Sequence, residues 1–269
     1  MKDNRFLTRM MSALVVLPIF FGAIFLGDPY LFIFVTLIAM LAIFEFIKLV
    51  KISLLSTQII LILLMPVILT LLSIPSITND IITKTFIIIG LISGLYIILI
   101  KLDVNNQIKL TFYGLLGLIY ISGAIISGLS IYNNYDISLI VIIMIGIFLT
   151  DTSAFIVGIS LGKHPLVKKI SPNKTIEGSV GSFIITTLFF IFVFSQNLAI
   201  FTSIVTTILF STVLNITAQF GDIIISTLKR KAKVKNTGII MPGHGGCLDR
   251  IDSILLSLIT INILLWSII

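Results

Sequence analysis

Asp222, Ser226, Lys229 and Arg230 stand at i, i+4, i+7 and i+8 of the run QFGDIIISTLKR, and on an α-helix that spacing puts all four on one face. The face offers a hard anionic ligand, a hydroxyl and two cations. That set suits a Mg²⁺-bound polyphosphate, with the carboxylate on the metal and the bases on phosphate oxygens. The competing reading is a solvated stripe of mutually neutralising charge. Downstream come Lys231, Lys233 and Lys235, then Pro242-Gly243-His244-Gly245-Gly246, whose glycines let backbone N–H groups approach an anion. The chain continues through Cys247-Leu248-Asp249-Arg250-Ile251-Asp252-Ser253. Two carboxylates one turn apart and a guanidinium converge there, which is costly beside lipid unless they are paired. An Arg250–Asp252 ion pair would absorb part of that cost. Asp249 is then the spare ligand, able with Asp222 to hold a divalent metal.

Other polar residues carry weaker signals. Asp151 sits deep in the apolar run that begins at Ile137, where a carboxylate needs a polar cavity or a partner; packing hydrogen bonds to nearby Ser and Thr are the alternative. Lys174 precedes a helix start, whose free N–H groups favour anions. Lys168 and Lys169 suit anionic headgroups, Glu177 suits a first-turn cap, and His164 alone indicates nothing. Glu45 stands three residues before Lys48, a spacing that fits an interfacial ion pair. Asp3, Asp28, Asp80, Asp103 and Asp136 read as terminal or loop charge.

The elements that must position these groups follow from composition. Of 269 residues, 58% are hydrophobic and 11% charged, against about 25% charged in a soluble domain. With a mean hydropathy of +1.21, soluble, disordered and fibrous classes are excluded. The single cysteine excludes a disulfide scaffold or a Cys-rich metal site. The remaining class is a polytopic all-α membrane protein. Polar interruptions leave nine apolar segments, near 10–26, 30–47, 54–74, 81–100, 110–131, 137–161, 176–195, 198–221 and 251–269. Most reach the ~20 residues that cross ~30 Å of hydrocarbon. No strict alternation supports a β-barrel.

With the N-terminus inside, 17 of the 18 Lys and Arg fall on the cytoplasmic side, and only Lys84 falls opposite. That sorting supports nine spans with the N-terminus in and the C-terminus out. The first segment resembles a signal peptide in its basic start. Its apolar stretch is longer than a usual h-region and Gly27-Asp28-Pro29 offers no small-x-small cleavage site, so it is expected to stay as an anchor. The sizeable polar stretches, about 162–175 and 222–250, both lie on the cytoplasmic side, where chemistry is expected.

The stretch Ser226-x-Leu-Lys229-Arg230-x4-Lys235, then Pro242-Gly243-His244-Gly245-Gly246-x2-Asp249-Arg250-Ile251-Asp252, resembles the signature of the phosphatidate cytidylyltransferase (CDP-diacylglycerol synthase) family. Asp151-Thr-x-Ala154-Phe155, Gly162-Lys163 and Ile170-Ser171-Pro172-x-Lys174-Thr175-x-Glu177-Gly178 are similar to its upstream blocks. Arg9 and Phe44-Glu45 resemble its N-terminal pattern. Two positions depart from it: Asn236 stands where the family has Asp, and Ile159 replaces a basic residue.

The resemblance implies transfer of a cytidylyl group from CTP to phosphatidate with Mg²⁺, releasing pyrophosphate, by one membrane-embedded domain over 1–269. Spans of about 10–131 would form a scaffold and 137–269 the catalytic portion. In that reading Asp222 and Asp249 hold the metal, and Lys229, Arg230 and Arg250 bind phosphates. Lys174 meets the lipid headgroup or CTP, Ser226 joins the substrate contacts, His244 contacts phosphate or shapes its loop, and Asp151 orients a basic partner or a second cation. A homodimer is the assembly it implies, and the Ile- and Lys-rich composition suggests a bacterial inner membrane as the location. The rivals are a secondary transporter using Asp151 and Glu45, disfavoured by the odd span count and the absence of a visible repeat, and a CTP-dependent lipid-alcohol kinase.

Overall fold

The computed structural model describes residues 18–19, 21–52, 55–73, 80–99, 106–196, 201, 203–238 and 245–268. Among them are helices α1 (Tyr30–Val50), α2 (Leu55–Ser73), α3 (Asp80–Ile97), α4 (Gln107–Asn134), α5 (Ile137–Leu161), α6 (Ile176–Ser195), α7 (Ile204–Lys231) and α8 (Leu248–Ile268). A two-stranded antiparallel hairpin, β1 (Pro165–Val167) and β2 (Ser171–Thr175), joins α5 to α6. The polar stretch 162–175 is therefore an ordered hairpin and not an irregular loop.

Among the described residues, five helices are long and apolar enough to cross a membrane: α1, α4 (counted from Ile108), α5, α6 and α7. Two shorter apolar stretches, Thr57–Leu69 and Ile82–Ile97, lie in α2 and α3. The chain is an all-α membrane protein. Most of the expected first span, 10–26, lies outside the described residues. Two expected spans coincide with α5 and α6, whereas α7 runs ten residues beyond the expected end at 221. The reason is geometric. At 1.5 Å per residue, 28 residues reach about 42 Å, beyond the ~30 Å of hydrocarbon. Loss of hydropathy at Asp222 marks the end of the apolar run and not the end of the helix.

The chain divides into two compact units, Met1–Ile126 with Leu228–Ile251, and Ser127–Thr227 with Asp252–Ile269. Each is described by itself. In the first, α1 packs on α2 and ends at Lys51 in the left-handed conformation, φ 66°. In the second, α5 and α6 run against each other closely enough that a Cβ on Gly178 would sit 2.6 Å from the Ala154 carbonyl oxygen. Asp136 caps α5 by accepting the Ser138 N–H at 2.8 Å, and Thr175 caps α6 by accepting the Gly178 N–H at 3.1 Å.

A buried polar seam ties α5, α6 and α7 together. The Thr150 and Thr186 hydroxyls meet at 3.0 Å. Asn215 Nδ2 and Gln219 Nε2 both donate to the Ser182 hydroxyl, at 3.2 Å and 3.1 Å. Such bonds between helices in lipid contribute roughly 0.6 kcal/mol each on average. They also fix the rotation of each helix about its axis.

Candidate active site

The seam ends at Gln219, whose Oε1 accepts the Ser179 hydroxyl at 2.5 Å, and there a cavity of about 240 Å³ opens within the second unit. Its polar lining comes from Asp151 on α5, Asn173 and Lys174 on β2, Ser179 on α6, and Gln219 and Asp222 on α7. Lys174 Nζ lies 2.5 Å from Asp222 Oδ2, with both side chains about a quarter exposed, and Ser226 donates its hydroxyl to Asp222 Oδ1 at 2.9 Å. Asp151 Oδ2 accepts the Ser253 hydroxyl at 2.8 Å. Of the residues singled out in the sequence, the fold thus brings Asp151, Lys174, Ser226 and Asp222 into one neighbourhood.

A second, apolar slot of about 430 Å³ shares Leu166, Ser179 and Gln219 with that cavity and continues along Val180, Phe183 and Phe220. The hairpin that delivers Lys174 is fastened at its base. Glu177 Oε2 accepts the backbone N–H groups of Lys163 at 3.1 Å and His164 at 3.2 Å, and Oε1 lies 2.6 Å from His164 Nδ1. Glu177 therefore does more than cap a first turn. His164 stays largely exposed, and Lys168 and Lys169 are exposed where the hairpin turns.

The first unit holds the other charged group. Lys229 Nζ lies 2.7 Å from Asp249 Oδ1, while Asp249 Oδ2 accepts the N–H groups of Thr237 at 2.8 Å and Gly246 at 2.9 Å. Asp249 precedes the apolar run of α8. Burial pushes its carboxyl up, but the Lys229 hydrogen bond and charge and the two backbone donors outweigh that effect, and the net shift is downward. Arg230 is exposed, its guanidinium 3.5 Å from the Val234 carbonyl, and Arg250 is exposed at the start of α8. Lys229 and Arg230 thus face different surroundings, although helical spacing alone assigns them one face. His244 lies outside the described residues.

Among the described residues, no group of three or more His, Cys, Asp or Glu side chains is arranged to hold a metal. The donor chemistry still suits a hard cation. Asp151 and Asp222 bring carboxylates to one cavity whose lining contains neither sulfur nor imidazole. Sequence reading left out Gln219, Ser179 and Asn173, which are neutral and stand out by nothing in a polar-dotted helix or hairpin. It also set Glu45 beside Lys48. In the structure Lys48 Nζ lies 4.0 Å over the Phe44 ring, and Glu45 is turned inward and buried.

With this geometry in view, the model of the cytidylyltransferase family matches residues 7–268. The phosphatidate cytidylyltransferase of Staphylococcus haemolyticus is 34% identical over 269 residues, covering 96% of this chain and 98% of that protein. Proteins of the same name from Staphylococcus saprophyticus and Staphylococcus aureus are 46% and 43% identical over 123 and 124 residues, about 45% of each.

Proposed function

The chain belongs to the cytidylyltransferase family, and from that premise we propose that it transfers a cytidylyl group from CTP to phosphatidate, giving CDP-diacylglycerol and pyrophosphate for phospholipid synthesis. The observation that carries the lipid acceptor is the charged cavity sharing one wall with an apolar slot. A ligand with an anionic head and an acyl tail matches both halves. Lys174 is placed to meet the head, and Val180, Phe183 and Phe220 the tail.

In the reaction, a phosphate oxygen of phosphatidate attacks the α-phosphorus of CTP. The bond from that phosphorus to the bridging oxygen breaks, and pyrophosphate leaves with the bond's electron pair. The attacking phosphate is already ionised near neutral pH, so no strong base is required. The barrier lies in bringing two anions together, and cations aimed at their oxygens lower it. Lys174 serves the acceptor phosphate, and its partner Asp222 is accessible enough to exchange an ammonium for another cation. Lys229, Arg230 and Arg250 serve the triphosphate, joined by Ser226 and His244.

Asp222 and Asp249 are the proposed Mg²⁺ ligands, each on its own evidence, directly or through water. Asp222 lines the cavity; the described residues place three donors on the Asp249 oxygens, which offer about four lone-pair positions. Bound there, Mg²⁺ would supply neutralisation of phosphate charge. Asp151 is proposed for a second cation or for orienting a basic partner.

The chain is read as one catalytic domain with nine spans, N-terminus in, in the cytoplasmic membrane of a bacterium, its site at the cytoplasmic face and a homodimer as the assembly the family implies. Purified protein given phosphatidate, Mg²⁺ and labelled CTP is expected to move label into chloroform-soluble product and release pyrophosphate. Release of CDP with a phosphorylated lipid would replace the reading by a kinase. A thiol at Asn134→Cys is expected to react only from outside, and reaction from the cytosol would overturn the span count. Native Cys247 does not interfere, because burial and the nearby Glu45 charge push its thiol up to about 12.

A further inference from the structure

Among the described residues, Glu45 is the most thoroughly buried carboxylate that the reaction above leaves unused, 1% exposed on α1, a helix whose other charged residue is Lys48. A carboxylate in such a place is costly unless several donors reach it. Three do, and all come from residues about 190–200 positions away. Oε1 accepts the Cys247 N–H at 2.9 Å, and Oε2 accepts the Leu248 N–H at 2.9 Å and the Thr237 hydroxyl at 2.6 Å.

Leu248 opens α8, so Glu45 satisfies the first donors of that helix. The side chain doing so belongs to a different helix. Glycine is required on both sides, since a Cβ at Gly238 or Gly246 would overlap the Glu45 carboxylate.

The same segments are gripped by Asp249. Thr237 gives its hydroxyl to Glu45 and its N–H to Asp249. Gly246 gives its N–H to Asp249, while the next two N–H groups go to Glu45. The two carboxylates close the two ends of the segment 237–248 between them. We propose that Glu45 is a positioning residue that caps α8 from α1 and thereby sets the orientation of Asp249 for cytidylyl transfer. This rests on the functional reading above, in which Asp249 takes part in turnover.

The test begins with Glu45→Gln, which keeps the shape but turns an N–H₂ group toward an N–H donor. Turnover is expected to fall about 10–100-fold, the usual cost of losing an outer partner of a site, with KM for CTP and phosphatidate nearly unchanged. In an Asp249→Asn background the same change should cost less than about twofold, because its effect passes through Asp249. A full, additive loss there would show a merely structural role and overturn the proposal.

A second readout needs no turnover. Alkylation of Cys247 by N-ethylmaleimide should be negligible in the folded wild type and rapid in Glu45→Gln; equal rates overturn the clamp. If Glu45→Gln does not fold, Thr237→Val decides, with turnover lowered and restored by Thr237→Ser; wild-type turnover in Thr237→Val overturns the proposal. Wild-type protein inactive with phosphatidate and CTP would sink the functional reading alone, and the alkylation comparison would still decide whether Glu45 holds the segment.

Discussion

Lys174–Asp222 and Lys229–Asp249 are the same chemical pair held in two ways. The first lies at the rim of a cavity with side chains 26% and 25% exposed, whereas the second is 11% and 6% exposed and carries two backbone N–H donors besides. A partly solvated pair gains little net energy, roughly 0–1 kcal/mol, so an incoming phosphate can take the ammonium at small cost. A buried pair is different. Its desolvation is repaid only with further hydrogen bonds, and removing one partner strands a charge at about 3–5 kcal/mol. The open pair is built to exchange partners, and the closed pair is built to stay.

The largest expected effect tests whether both aspartates belong to the site. Asp222→Asn and Asp249→Asn should each lower turnover by about two orders of magnitude or more, measured by incorporation of labelled CTP. They should then part company. Asp249→Asn should lose about 3 kcal/mol of stability by thermal unfolding in detergent, and Asp222→Asn almost none. Equal losses would erase the contrast, and wild-type turnover in either variant would remove that residue from the site.

A smaller effect sharpens it. Lys174→Met should reduce kcat/KM about 10–100-fold with an unchanged unfolding midpoint, since a single charge-assisted contact to phosphate is lost. Lys229→Met should lower the midpoint first, by leaving Asp249 buried without its cation. The reverse order would mean that the buried pair is the exchangeable one.

The smallest effect is with pH. Asp249 is depressed below its ordinary 3.8, so its contribution is full above that value and disappears as pH falls through the folded-state value. Between pH 8 and 5 Asp249 should therefore contribute in full and give the midpoint no pH dependence. Below about pH 3.8 the wild type should lose stability faster than Asp249→Asn, and parallel curves there would contradict the assignment.

How much of this was legible beforehand divides along physical lines. The spans over α5 and α6 were readable because lipid imposes a length on any apolar run. The far end of α7 was not, because hydropathy reports contact with lipid while a helix propagates by backbone hydrogen bonds. Asp222 and Lys174 were identifiable by type and setting, but their pairing across 48 positions was not, because composition carries no partner information. Glu45 did have a signal, an isolated carboxylate inside an apolar run. An adjacent lysine offered a local explanation, and the true donors lie too far along the chain for any spacing rule. The helical spacing of Asp222, Ser226, Lys229 and Arg230 likewise suggested one face, whereas Lys229 turns inward to Asp249 and Arg230 stays outside.

The hairpin has a bearing on how a ligand can enter. Lys174 sits one residue before Thr175, and Thr175 is both the last residue of β2 and the cap of α6, with no slack between strand and helix. Moving the backbone of that lysine outward would mean breaking the cap and unwinding the first turn of α6. Its backbone is thus a fixed landmark, and the ammonium reaches only as far as its four side-chain torsions allow: an arriving headgroup must come within that arc before Lys174 can leave Asp222 for it.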